Sequence, residues 1–193
     1  MHEKKLFDRV SFVYDIFMRV AGMYKETEVA ELLSCEGHEL VLDIGGGTGH
    51  YARYLSPFCK EMVVIDESDE MLSRLKSGGN IRPVCGNIFH NCYDDESFDI
   101  ILLCDVLHHI ENQVLLLNEC RRLLKPGGNL LIYDFDYEKR MTKLIRAFES
   151  IFFSSQLLFF QKHTAIVEML RKVGFFEIVT MKKSFYFITV WKK

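Results

Sequence analysis

No run of apolar residues in this chain of 193 reaches the ~18 needed to cross a bilayer, so no membrane span is expected. Six cysteines are present, at positions 35, 59, 85, 92, 104 and 120. None forms a C-x-x-C pair and none stands beside a spaced pair of histidines, which speaks against zinc, and no metal ligand set is expected. Basic charge is not in excess: the formal net charge is −3, so nucleic acid is not expected as a major partner. There is neither an internal repeat nor a low-complexity linker, and the length suits a single domain over 1–193. The opening Met1-His2-Glu3-Lys4-Lys5 leads into a mixed amphipathic segment rather than a leader. Together with unpaired cysteines this predicts a cytoplasmic protein with reduced thiols. What is present is ordinary for a globular chain, 49% hydrophobic and 26% charged, with a length that lets it bury roughly 70% of its unfolded surface.

The most informative stretch is Val41-Leu42-Asp43-Ile44-Gly45-Gly46-Gly47-Thr48-Gly49-His50. An apolar run ends in an acid and then in glycines, and a segment able to carry a helix follows. The pattern reads as a buried strand, a tight turn and a helix start. Glycines there let the backbone approach a ligand closely, and the helix start offers unpaired N–H groups, as a nucleotide-like cofactor requires.

The remaining elements follow from periodicity. Residues from about 5 to 34 are helix-like, with Leu6, Val10, Val13, Phe17 and Val20 recurring at three and four, and a break at Ala21-Gly22. Strands are expected at Glu39–Ile44, Glu61–Asp66, Ile81–Cys85, Phe98–Cys104 and Asn129–Tyr133. Helices are expected from Thr48 to Leu55 (ended by Pro57), Ser68–Ser77 (stopped by Gly78-Gly79), Asn112–Leu124 and Thr164–Val173. Phe175–Met181 and Phe185–Trp191 are separated by about three residues. That is too short for a parallel crossover, so they should pair antiparallel at the sheet edge. The alternation implies βαβ units: a Rossmann-like, doubly wound α/β sheet of seven strands, mostly parallel, with an antiparallel C-terminal hairpin and helices on both faces.

A dinucleotide fingerprint fits the glycine loop only loosely. The frame from Gly45 meets His50 where a glycine is needed, and the frame from Gly47 meets Ala52, which is tolerated. Asp43 is also a poor neighbour for a pyrophosphate. S-adenosyl-L-methionine carries no phosphate: its carboxylate suits loop N–H groups and its cations suit acids. Asp66, 17 residues beyond Gly49, stands where a carboxylate accepts both ribose hydroxyls.

In order, Val41–Gly49, then Val63-Val64-Ile65-Asp66 with Met71-Leu72, then Gly86-Asn87-Ile88, then Ser97-Phe98-Asp99-Ile100 through His108-His109, then Arg122–Gly128 resemble the motif series of class I S-adenosylmethionine-dependent methyltransferases. The nearer likeness is to the ubiquinone/menaquinone C-methyltransferase group, over roughly residues 39 to 136. The resemblance implies that Asp43, Gly45, Gly46, Gly47 and Gly49 surround the methionine moiety. It implies that Asp66 holds the ribose, with Glu67 and Met71 beside the adenosine. Asn87, where the family has aspartate, would accept from the adenine amine, the Ile88 N–H would reach an adenine ring nitrogen, and Cys104 would line the site through its backbone. Tyr14-Asp15 resembles the family's N-terminal Tyr-Asp element, which folds over the cofactor, making residues 1–35 a helical lid. S-adenosyl-L-homocysteine would be the product.

Methyl transfer from an activated sulfonium is mainly a matter of positioning. A base is needed only where the acceptor must lose a proton. Asp105, His108 and His109 follow the fourth strand at the carboxyl edge of the sheet, and His108 is the expected group facing the acceptor, with Asp105 beside it. Residues 137–162 combine Lys139, Arg140, Lys143 and Arg146 with Phe148, Phe152, Phe153, Leu157, Leu158, Phe159 and Phe160. They read as an acceptor-side insertion for a small or lipophilic acceptor, or as a peripheral membrane contact. Two rival functions remain open from sequence: a cofactor-holding module that transfers nothing, acting as partner or sensor, and a nicotinamide dehydrogenase. Lys125-Pro126-Gly127-Gly128 is expected to be structural.

Overall fold

The apolar runs of the central strands carry two interleaved sets of residues. Val41, Val64, Ile100 and Leu102 pack into one core layer; Leu42, Val63, Ile101 and Leu103 pack into the other. Strands covered on both faces read as continuous hydrophobic runs, which is the pattern that a parallel sheet between two helical layers requires. The computed structural model describes residues 19, 22–75, 78–139, 141–143, 145, 147 and 158–193.

The strands are β1 (Leu40–Ile44), β2 (Glu61–Asp66), β3 (Ile81–Cys85), β4 (Phe98–Cys104), β5 (Leu124–Phe135), β6 (Phe176–Lys182) and β7 (Tyr186–Lys192). They form one seven-stranded sheet in the order β3-β2-β1-β4-β5-β7-β6. The neighbours from β3 to β5 are parallel, and β7 is antiparallel to both β5 and β6. The C-terminal hairpin is therefore present, with its second strand inserted between β5 and the edge. Helices α1 (Glu26–Leu33) and α2 (His50–Leu55) bury Val29, Leu33, Ala52 and Leu55 in the first layer. Helices α4 (Gln113–Leu123) and α5 (His163–Val173) bury Leu116, Leu117, Ile166 and Leu170 in the second.

Two elements differ from the sequence reading. Helix α3 spans Asp69–Leu72, shorter than the expected Ser68–Ser77, of which Lys76 and Ser77 lie outside the described residues. Ser68 caps it by accepting from Met71 N, but Arg74 N and Leu75 N then bond to Met71 O and Leu72 O, three residues back, so the helix tightens into turns. Strand β5 begins at Leu124 rather than Asn129, because Lys125–Gly128 are taken up as an irregularity opposite Phe98–Ile100. Their surroundings are structural: Lys125 Nζ pairs with the Asp99 carboxylate at 2.8 Å, which also accepts Leu40 N at 2.9 Å. A Cβ on Gly128 would lie 2.9 Å from Asp99 O. Of the expected N-terminal helix, Glu26–Leu33 is helical; Tyr14 and Asp15 lie outside the described residues.

Candidate active site

Strand order reverses between β1 and β4, so the loops leaving their carboxyl ends diverge and leave a crevice, where open α/β sheets bind ligands. A cleft of about 800 Å³ occupies this place. Its floor is the loop after β1. Gly45 has φ +68°, and a Cβ there would stand 2.3 Å from Val106 Cγ2. Gly49, φ +74°, caps α2, and a Cβ on it would meet Leu75 Cδ1 at 2.1 Å. Both positions combine a left-handed backbone with a neighbour in the way, so glycine is required twice over. Gly45, Gly46 and Gly47 line the cleft, whereas Gly49 supports the loop from behind.

Three acids define this side. Asp43 is 1% exposed, and neither carboxylate oxygen has a hydrogen-bond partner among the described residues. Burial, followed by the nearby charge of Asp66, pushes its pKa up to about 7. Asp66, at the end of β2, accepts Gly47 N at 2.9 Å and Ser68 N at 2.8 Å, one on each oxygen. Burial raises its pKa too, against the pull of those two bonds. Glu67, Ser68 and Met71 continue the wall.

At the far end Gly86 and Ile88 line the cleft. Asn87 is not among the lining residues. Its side chain caps a 3-10 turn, accepting from Phe89 N at 2.7 Å, and its amide donates to Glu67 Oε1.

On the other side of the floor Cys104 ends β4, and burial lifts its thiol pKa well above the usual range. Asp105 follows with φ +60°, an uncommon backbone for a non-glycine residue, and lines the cleft with Val106, Ile110 and Glu111. Of the two histidines in the next turn, it is His109 that lines the cleft; His108 is 2% exposed and sits behind it. His108 Nδ1 bonds to Asp134 Oδ1 at 2.7 Å. Burial, and then the neighbouring His108, hold the His109 pKa well below the usual histidine range, so its ring is neutral at pH 7. Asp105, His108 and Asp134 bring one donor atom each within 4.8 Å of one another.

Tyr24 and His50 also line the cleft, and neither was singled out in the sequence. Tyr24 stacks on His50 with ring centroids 3.4 Å apart, and His50 Nε2 lies 2.5 Å from Glu26 Oε1. The chain at Tyr24 is pinned by tyrosines: Tyr133 Oη donates to Met23 O, and Lys25 N donates to Tyr51 Oη. Phe159 lines the cleft too, from the segment expected to form the acceptor side. His50 abuts the glycine loop in sequence, so proximity could have found it. Tyr24 and Phe159 arrive from distant segments.

A family model described as a methyltransferase domain matches residues 42–132. The demethylmenaquinone methyltransferase of Thermotoga maritima is 30% identical, over 90% of this chain and 88% of its own length. Among solved structures, the methyltransferase bound to the Trm112 activator of Haloferax volcanii superposes with a TM-score of 0.81 at 17% identity, over 96% of both chains. A S-adenosylmethionine-dependent methyltransferase from Thermotoga maritima gives 0.77 at 22% identity, over 98% of this chain and 99% of that one. The motif series, the sheet order with its antiparallel end and these likenesses agree: the chain belongs to the class I S-adenosylmethionine-dependent methyltransferases.

Proposed function

We propose that the cleft binds S-adenosyl-L-methionine and serves methyl transfer to a small or lipophilic acceptor, with S-adenosyl-L-homocysteine as product. The observation that carries this reading is the charge of the wall. The described residues lining it include the carboxylates of Asp43, Asp66, Glu67, Asp105 and Glu111, and no lysine or arginine. A dinucleotide would bring two phosphates into that field; the methyl donor brings an ammonium and a sulfonium. Asp43, a buried carboxylate without a described partner, is itself a group that a cationic ligand would stabilise.

The cofactor supplies an activated methyl group; the chain's residues bind and orient. The backbone of Gly45–Gly47, Asp43 and the Cys104 backbone would surround the methionine end. Each Asp66 oxygen takes one backbone N–H and keeps a lone pair for a ribose hydroxyl. Glu67 and Met71 would flank the adenosine, with Ile88 N–H and the remaining lone pair of the Asn87 oxygen toward adenine. Tyr14 would close over the cofactor as part of the 1–35 lid. His109, neutral and in the cleft, suits the role of proton acceptor when the acceptor must lose one, with Asp105 beside it and His108 supporting it from behind. Residues 137–162, of which Phe159 lines the cleft, would form the acceptor side of the same domain. The relative named for demethylmenaquinone makes a lipophilic quinone the first acceptor to test. No described helix is long and apolar enough to cross a membrane, so such an acceptor would be met by peripheral contact. All six cysteines are free, which suits the cytoplasm.

Calorimetric titration with S-adenosyl-L-homocysteine and, separately, with NAD tests the cofactor: the first should bind and the second should not. Labelled S-adenosyl-L-methionine offered with lipid and small-molecule extracts, kept apart, then tests transfer. Cofactor binding without any labelled product would leave a non-catalytic module.

A further inference from the structure

The acceptor wall hangs on residues that do not themselves line the cleft. Asp134, near the end of β5 and 1% exposed, accepts three N–H bonds: His108 N at 3.2 Å, His108 Nδ1 at 2.7 Å and Phe135 N at 2.7 Å. A carboxylate only accepts, so Nδ1 of His108 carries a proton and donates it to Asp134, which fixes the orientation of the ring. The ring stacks on Phe160 (centroids 4.2 Å apart, planes at 7°) and lies 4.2 Å from the ring of His109. The His108 carbonyl accepts Phe159 N at 2.7 Å. Gln113 Nε2 completes the tie, donating to Leu107 O at 3.0 Å and to Phe159 O at 2.9 Å. Thus the turn that presents His109 and the segment that presents Phe159 are fastened to one another, and the turn is fastened to the sheet through His108.

We propose that Asp134 is a positioning residue of the methyl-transfer site: acting through His108, its carboxylate sets the turn that aims His109 and Phe159 at the acceptor. This rests on the reading of the cleft as the methyl-transfer site. A side chain that merely filled space would tolerate loss of charge at constant shape. A side chain that orients an imidazole would not, because an amide in its place offers one acceptor and one donor where two acceptors are used.

The test compares the wild type with Asp134→Asn, both saturated with S-adenosyl-L-homocysteine, by long-range proton–nitrogen spectra of the histidine rings. The wild type should show His108 with Nδ1 protonated and hydrogen-bonded, and the variant should lose that state. S-adenosyl-L-homocysteine affinity should stay within about twofold, while labelling of the acceptor pool falls by about tenfold or more. Identical His108 signals in the two proteins, or unchanged labelling, overturn the proposal. If the variant does not fold, the wild-type spectrum decides: an Nε2–H tautomer at His108 overturns it and the Nδ1–H form supports it. Failure of the wild type to bind S-adenosyl-L-homocysteine at all would instead defeat the methyltransferase reading, which separates the two.

Discussion

On the side of the cleft proposed for the cofactor, most wall residues stand at or just beyond the end of a strand: Gly45–Gly47 after β1, Asp66 at the end of β2 with Glu67 and Ser68 after it, Gly86 and Ile88 after β3. On the side proposed for the acceptor the wall is assembled from pieces far apart in the chain. Leu107–Ile110, Gln113, Asp134 and Phe159–Phe160 are joined by side chains reaching to backbone. The first side is shaped by local backbone geometry, mainly glycines and short turns. The second is shaped by tertiary hydrogen bonds among buried polar groups. A cofactor common to a whole family suits the first kind of construction, and an acceptor that varies suits the second. The two sides meet where Val106 packs against Gly45.

Three substitutions sharpen that contrast, and the largest effect is expected at Asp43. Its pKa is raised in the folded protein to about 7, from an unfolded value near 3.8. The native state therefore holds the proton more tightly, and stability falls as pH rises from about 4 to about 7. Three pKa units correspond to on the order of 4 kcal/mol. Asp43→Asn should remove that part of the slope, measured by urea unfolding of the ligand-free protein at several pH values. Equal slopes in the two proteins would falsify the assignment of Asp43 as the buried acid.

Next comes Gly45→Ala, at the place where the two sides touch. A left-handed residue costs roughly 1–2 kcal/mol and overpacking against Val106 a similar amount, about 3 kcal/mol together. Homocysteine-cofactor binding and thermal stability should both fall; a variant as stable as the wild type would show that the loop relaxes freely. The smallest effect is expected at Asp66→Ala, which removes a ligand contact at a partly accessible edge. Cofactor affinity should weaken by about tenfold, ~1.4 kcal/mol. Unchanged affinity by calorimetry would show that the ribose lies elsewhere.

Legibility in the sequence followed the same division. Asp43, the glycines and Asp66 stood out because strand, turn and helix start are consecutive, so their chemistry is written in one line of residues. The doubly wound sheet and its antiparallel end followed from run lengths and from the short link between β6 and β7. The short helix α3 and the lengthened β5 did not, since turn tightening after Met71 and the irregularity opposite Phe98 depend on neighbouring strands. The choice between His108 and His109 was also out of reach. Adjacent residues of a 3-10 turn point about 120° apart, and only the docking of that turn on Asp134 decides which ring faces the cleft.

The sequence by itself determined the class of fold and the family, and it singled out the glycine loop and the strand-end acids that line the cleft, because each rests on residues close together in the chain and on strict demands for glycine and for acids at strand ends. The tertiary structure alone decided the opposite wall, the one proposed to face the acceptor. Tyr24, Phe159, Gln113 and Asp134 acquire their roles only when segments separated by 20 or more residues are brought together, and no local pattern specifies which buried donor will meet which acceptor.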